Sequence, residues 1–182
     1  MKLRSKNSVR IAAALLLCLG LCLAYHAVRF AAETAMPQTT DAQDYAKTLA
    51  RSGYPNDPGS AFFPAEIPDT AAQVQFSYSA TMGGTVFALK YALESGDLDV
   101  QEARFSATAS WSGAPADPAA KERGIYPDSL RVLDYDTARP ADLRLYVVHS
   151  QPYRRNDWNH GEVGLVAISR EQGEILFFSS VW

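Results

Sequence analysis

The feature that most constrains the fold is a closing series of three apolar runs, Leu143 to His149, Val163 to Ser169 and Ile175 to Trp182. Each run has the length of a β-strand, and short polar or turn-forming segments separate them. The linker Arg170-Glu171-Gln172-Gly173 places a glycine where hairpin turns commonly need a positive φ. We therefore expect the last two runs to form a hairpin.

The last run is apolar on both of its faces. If it is extended, its side chains alternate in direction, and each direction carries large apolar residues: Leu176, Phe178 and Trp182 on one face, Ile175, Phe177 and Val181 on the other. A strand with two apolar faces is expected where other layers cover the sheet on both sides.

A second hairpin is predicted over residues 73–91. Val74, Phe76 and Tyr78 alternate with polar residues, which is the period of a half-buried strand. Met82-Gly83-Gly84 supplies a turn, and a second alternating run follows it. The apolar side of that second run consists of Phe87, Leu89 and Tyr91.

A helix is expected over roughly residues 98–111. The segment Asp99 to Glu102 matches an acidic variant of the capping box, in which a carboxylate at the helix start accepts backbone N–H bonds. A strand is the alternative, because apolar residues at every second position from Phe105 to Trp111 also alternate. We prefer the helix because apolar residues also recur at helical spacing: Val100, Ala103, Ala107 and Trp111.

The predicted fold class is α+β: a single antiparallel sheet of about five strands, in the order β-β-α-β-β-β, with one packed helix and a preceding N-terminal transmembrane helix. The domain is expected to cover residues 63–182. Residues 29–62 are rich in turn formers and predict a stalk, interrupted by a short helix that Asp41 caps over Ala42 to Arg51.

The N-terminal 30 residues predict a membrane segment. Residues 11–28 contain no charged side chain, and as a helix they are roughly 27 Å long, near the minimum for a bilayer span. Four basic residues precede the segment and one closely follows it, which favours a cytoplasmic tail over residues 1–10 and a domain outside the cell. A retained signal-anchor is preferred, and a cleaved signal peptide or a lipoprotein signal are the alternatives.

Charge and cysteine content narrow the class of protein. All 20 acidic residues follow position 30 but only 12 of the 17 basic ones do, so the part beyond it carries a net charge of −8. Such a domain repels phosphate backbones, and we expect no nucleic-acid partner. Both cysteines, Cys18 and Cys22, lie in the apolar segment, so the domain has neither a disulfide nor a thiolate metal site. An exported domain without disulfides weakly favours a bacterial envelope.

Two stretches of the sequence resemble a family of envelope proteins from Gram-positive bacteria. The first is Phe63-Pro64-Ala65-Glu66-Ile67-Pro68 with the hairpin that follows it, and the second runs from Asn159-His160-Gly161 to the last hairpin. The resemblance covers residues 63–182. It implies an exported, membrane-attached domain and implies no particular activity.

One loop between two predicted strands is a candidate binding site. It concentrates aromatic, basic, acidic and amide side chains where a rigid sheet would present them: Tyr153, Arg154, Arg155, Asp157, Trp158, Asn159 and His160. The aromatic rings offer stacking faces and the arginines would pair with anions. The structural alternative is that Asn159 to Gly161 close a turn while Trp158 folds onto the sheet edge.

These patterns predict a non-catalytic binding or interaction module of the cell envelope, with an envelope protein or a cell-wall component as its partner. No catalytic residue, metal ligand or cofactor is predicted, because nucleophile motifs are missing and His149 and His160 lack partners at ligand spacing. The alternative is an envelope hydrolase that uses His160 and Asp157. A third possibility is docking onto a larger membrane complex through an apolar patch beside the last hairpin.

Overall fold

A computed structural model of the chain describes residues 14–26, 38–81, 84–125, 140–151 and 161–182. The chain divides into two compact units, residues 1–36 and residues 37–182. The sheet, its covering layers and the candidate sites below all belong to the second unit.

In the first unit the described residues, 14–26, form helix α1, and their side chains are exposed. No helix among the described residues is long and apolar enough to cross a membrane. The predicted fold class is corrected on this point: the transmembrane helix that it places before the domain has no counterpart among the described residues.

The second unit is built on an antiparallel sheet of seven described strands. Their order across the sheet is β1-β2-β3-β7-β6-β5-β4. Along the chain they are β1 (Gln38–Thr39), β2 (Ala72–Thr81), β3 (Gly84–Ala92), β4 (Trp111–Gly113), β5 (Arg144–Gln151), β6 (Glu162–Ser169) and β7 (Glu174–Val181).

Both predicted hairpins are confirmed. Strands β2 and β3 pair directly, and so do β6 and β7, where Gly173 has the expected positive φ of 66°. The prediction of about five strands is wrong, because β1 and β4 also join the sheet at its two edges. These strands have two and three residues, which is too short for an alternating pattern to be visible in the sequence.

The residues predicted as a stalk belong to the folded unit from position 38 onward. Asp41 accepts a hydrogen bond from the Gln43 amide at 2.9 Å, as its predicted capping role requires, and a 3₁₀ turn (Ala42–Asp44) leads into α2 (Tyr45–Arg51). Tyr45 is 2% exposed and packs edge-on against aromatic rings of the sheet. Residues 38–62 are therefore part of the folded unit and contribute Tyr45, Leu49 and Phe62 to its core.

The predicted helix near residues 98–111 is α3 (Ser95–Thr108), so the helical alternative is confirmed over the strand. Its predicted cap and buried face are wrong. Glu94 occupies the N-cap position without a side-chain hydrogen bond, and Val100 is 66% exposed. The helix instead buries Leu98 and Phe105, because those residues face the aromatic side chains of β3 and β7.

Side chains cover the sheet on both of its faces, as the two apolar faces of β7 predict. We call one face of the sheet the α3 face. Phe177 lies on this face, and it is covered by α2, α3, Phe62 and Phe63. On the opposite face, the α4 face, α4 (Pro118–Glu122) contributes to a second cluster around Phe178. The prediction of one packed helix is therefore also wrong.

Candidate functional site

The loop predicted as a binding site, residues 153–160, lies outside the described residues. Its two attachment points are described. Gln151 at the end of β5 pairs with Glu162 at the start of β6, and Gly161 exchanges two backbone hydrogen bonds with Trp182, of 2.8 and 3.0 Å. Both ends of the loop are thus held at the same end of the sheet.

A groove lies on the α3 face beside these attachment points. Its volume is about 350 Å³, within the range of roughly 300–1,000 Å³ that is usual for ligand sites. It runs between the last turns of α3, the end of β5 and the segment that follows α2. We call it the His149 groove; it is lined by Pro58, Ala61, Phe62, Arg104, Phe105, Thr108, Val148 and His149.

A β-bulge in β5 brings two adjacent residues to the groove. Val147 pairs with Leu165 and His149 pairs with Gly164, so Val148 has no residue opposite it on β6. In a regular strand, adjacent side chains point to opposite faces, and a bulge changes that alternation. The irregularity therefore allows Val148 and His149 to line the same groove.

The floor of the groove depends on a glycine. A Cβ atom at Gly164 would lie 2.6 Å from Cε1 and 3.0 Å from Cζ of Phe62, closer than carbon atoms pack. Phe62 is 5% exposed, and its ring packs at a tilt against Phe63 with the ring centroids 4.7 Å apart. The missing side chain at Gly164 therefore lets the Phe62 ring lie directly on the sheet.

The polar groups of the groove are an imidazole, a guanidinium and a hydroxyl. His149 Nε2 contacts Glu162 Oε1, and both side chains are about one quarter exposed. Thr108 donates its hydroxyl to the Arg104 carbonyl at 3.0 Å, as threonines in helices often do. Among the residues that line the groove, the Thr108 hydroxyl is thus used within α3, whereas the imidazole lies against the Glu162 carboxylate without a hydrogen bond of good geometry.

Arg104 is the cation of the groove. Its guanidinium carbon lies 4.9 Å from the centre of the Phe105 ring, and among the described residues it makes no ion pair. The part of the chain beyond position 30 carries a net charge of −8, so the cation of this groove lies within an acidic domain. It would attract an acidic group on a partner.

The wall that α3 forms is held in place by ion pairs to the β6–β7 turn. Arg170 binds Asp99 at 2.6 Å and Glu102 at 2.6 Å through Nε, and Tyr146 donates its hydroxyl to the other oxygen of Glu102 at 2.7 Å. Burial and then this hydrogen bond raise the pKa of Tyr146 to about 12. Hydrogen bonds to Glu102 and Asp99 raise the pKa of Arg170 above its usual value.

The turn itself is capped by Asp142. Its carboxylate accepts hydrogen bonds from the Ser169 hydroxyl at 2.7 Å and from the amides of Arg170 and Glu171 at 2.7 and 3.0 Å. Burial alone would raise the pKa of Asp142, but these hydrogen bonds together outweigh it and hold the pKa below its ordinary value. Hydrogen bonds and ion pairs thus connect Asp142 to α3 through the β6–β7 turn.

Sequence reasoning missed the His149 groove, although His149 itself stood out at a strand end. The run Leu145-Tyr146-Val147-Val148-His149 is apolar throughout, so its pattern does not reveal the bulge. One sequence signal for the groove was present in the neighbouring strand. Gly164 lies within the otherwise apolar run of β6, and a glycine within a strand often marks a place where another group packs closely against the backbone.

Several predictions about the site stay predictions. His160 and Asp157, the residues of the hydrolase alternative, lie outside the described residues. Among the residues that the structure describes, no three or more His, Cys, Asp or Glu side chains group as metal ligands would.

Comparisons of the chain with models of protein families, with curated proteins and with solved structures found no match.

Proposed function

We propose that the chain is a membrane-attached, extracytoplasmic binding module of a bacterial cell envelope. Two sequence features support export: a basic start followed by an apolar segment, and acidic residues confined to the part beyond position 30. In this proposal the His149 groove holds an extended segment of a partner protein, and the segment carries an acidic side chain among apolar ones.

The observation that carries the proposal is the unpaired guanidinium of Arg104 at the edge of an apolar groove. Phe62, Phe105 and Val148 offer contact to apolar side chains, while Arg104 offers charge-assisted hydrogen bonds to a carboxylate. The groove is open rather than enclosed, which suits a segment of a partner chain better than a fully enclosed small molecule. Recognition of this kind combines apolar pockets for affinity with one charge for specificity.

By sequence, Arg154 and Arg155 follow Gln151 within four residues. In this proposal an acidic partner segment would pair with these cations as well as with Arg104.

A peptide-display selection tests the proposal. The full-length chain in detergent micelles is panned against a random peptide library, and the wild type is expected to enrich peptides that combine Asp or Glu with apolar residues. Arg104→Glu should shift the enriched charge toward Lys and Arg, because the attractive charge is reversed. Lys121→Glu on α4 is the matched control, since it makes the same change in net charge on the opposite face.

The result that would contradict the proposal is the same peptide consensus from all three proteins. Preserved helix and sheet content in circular dichroism, compared between Arg104→Glu and the wild type, distinguishes loss of recognition from loss of the fold.

A further inference from the structure

A second cavity lies on the other side of the segment that follows α2. Its volume is about 280 Å³ and it shares no lining residue with the His149 groove. Along residues 57–62 the chain divides between the two: Asp57 and Ser60 line this cavity, whereas Pro58, Ala61 and Phe62 line the groove. The full lining is Arg51, Ser52, Asp57, Ser60, Tyr78, Thr85, Phe87, Ser179 and Val181.

Opposite charges line this cavity without pairing. Arg51 and Asp57 have no nitrogen–oxygen distance of 4.0 Å or less, and among the described residues neither carboxylate oxygen of Asp57 accepts a hydrogen bond. A cation and an anion that line one small cavity attract each other, and a side chain as flexible as arginine can usually reach its partner to form an ion pair. Arg51 and Asp57 do not form one. Both charges are therefore available to a ligand.

Hydroxyl groups line the same cavity as the two charges. Those of Tyr78, Thr85 and Ser179 make no hydrogen bond to another described residue, and Ser60 has only a long one of 3.4 Å. Ser179 is 8% exposed, in a strand whose neighbours are apolar. A hydroxyl can both donate and accept a hydrogen bond, so a ligand with several polar groups fits this surface.

A cradle for the ligand is kept open by Gly59. A Cβ atom at this buried position would lie 3.1 Å from Asp57 Oδ2 and 3.2 Å from Ser179 Oγ. The carboxylate and the hydroxyl thus converge on a point that any larger residue would fill. Phe87 and Val181 supply the apolar part of the wall.

We propose that this cavity binds a small zwitterion of the α-amino acid class. Arg51 takes the carboxylate, Asp57 takes the ammonium group, and the hydroxyls of Ser60 and Ser179 complete the ammonium's hydrogen bonds. A volume of about 280 Å³ holds a free amino acid with a short side chain. Because this lining offers an anion as well as a cation, the site differs in ligand class from the His149 groove.

Saturation-transfer NMR on the full-length chain in detergent micelles tests this inference. The probes are the free L-amino acids, glycine and D-alanine, and each hit is compared with its N-acetyl and its amide derivative. We expect at least one free amino acid to bind. We expect the derivatives to bind about 10- to 100-fold more weakly, because each lacks one of the two charges.

Variants separate the two ends of the ligand. Asp57→Asn should weaken binding of the free amino acid about 10- to 100-fold. It should also reduce the difference in affinity between the free amino acid and its N-acetyl form, because the charge that the N-acetyl form lacks no longer has a partner. Arg51→Gln should likewise reduce the difference between the free amino acid and its amide. Ser179→Ala removes one hydroxyl that the proposal places on the ammonium group, and it should weaken binding of the free amino acid if Asp57→Asn lowers the melting temperature too far to be used. Lys121→Gln on α4 is the control for a lost cation.

Three results would overturn the inference: no free amino acid binds at millimolar concentration, the derivatives bind as well as the parent compound, or uncharged sugars bind while amino acids do not. Arg104→Glu should leave amino-acid binding unchanged. Loss of peptide recognition through Arg104 can therefore be distinguished from loss of this site.

Discussion

Replacing Gly164 with alanine perturbs the floor of the His149 groove at one point. The new Cβ would lie 2.6 Å from Cε1 of Phe62, whereas packed carbon atoms are about 3.5–4.0 Å apart, so the ring must withdraw by about 1 Å. Phe62 has little room to do so, because it is buried against Phe63. Overpacking of this kind typically costs about 1–3 kcal/mol in the free energy of unfolding.

Urea unfolding of the full-length chain, followed by circular dichroism, measures this cost. With a slope of about 2 kcal/mol per molar urea, Gly164→Ala should lower the midpoint by roughly 0.5–1.5 M without changing the slope. Gly96→Ala is the matched control. Gly96 lies in α3, and a Cβ atom added there meets nothing within 4 Å. The urea midpoint of Gly96→Ala should therefore stay the same or rise, by an amount that corresponds to about 0.4–1 kcal/mol in the free energy of unfolding.

A second substitution tests the cause. Phe62→Leu removes the ring edge that the new Cβ would strike, so the double variant should cost less than the sum of its parts by about 0.5–3 kcal/mol. Additive costs, or a Gly164→Ala midpoint equal to that of the wild type, would refute the claim that Phe62 lies on the sheet at Gly164.

Two pH predictions and one mass measurement follow from other parts of the chain. Hydrogen bonds hold the pKa of Asp142 below its ordinary value, so its contribution to stability is complete above pH 3.8 and is lost as the pH falls through the folded-state pKa. Asp142→Asn should therefore lower the free energy of unfolding by about 1 kcal/mol at neutral pH. In unfolding curves below pH 4 this difference from the wild type should shrink. Burial and Glu102 raise the pKa of Tyr146 to about 12, so the stability of its neutral form is complete below pH 10 and is lost toward pH 12; Tyr146→Phe should flatten that decline in thermal melts. Intact-mass measurement of membrane-extracted protein should give the full chain of 19.9 kDa, whereas a loss of roughly 3 kDa, the mass of about 30 residues, would mean that the N-terminal segment is cleaved.

The parts of the fold that the sequence predicts correctly are those with a local pattern. Alternation around Phe76 and Phe87 and the glycine at position 173 specify both hairpins, because side-chain direction and turn geometry depend on near neighbours. Asp41 likewise identifies a helix start. These signals need no knowledge of what packs above the strand or helix.

The parts that the sequence does not predict depend on contacts between distant residues. Val100 and Phe105 are both apolar residues of α3, and only the position of the sheet decides that Phe105 is buried and Val100 exposed. The ion pair between Arg170 and Glu102 joins residues 68 positions apart. The cavity beside Asp57 arises in the same way, from α2, β2, β3 and β7 together.

The most direct test of the central claim is site-specific photo-crosslinking in the native cell. A photoreactive side chain replaces Thr108, which lines the His149 groove, or Val100, which is exposed elsewhere on α3. From position 108 we expect one major adduct, mapped by mass spectrometry to a partner segment that holds an acidic residue among apolar ones, and we expect Arg104→Glu to remove it. The same set of adducts from both positions, or an adduct at position 108 that persists in Arg104→Glu, would contradict the account.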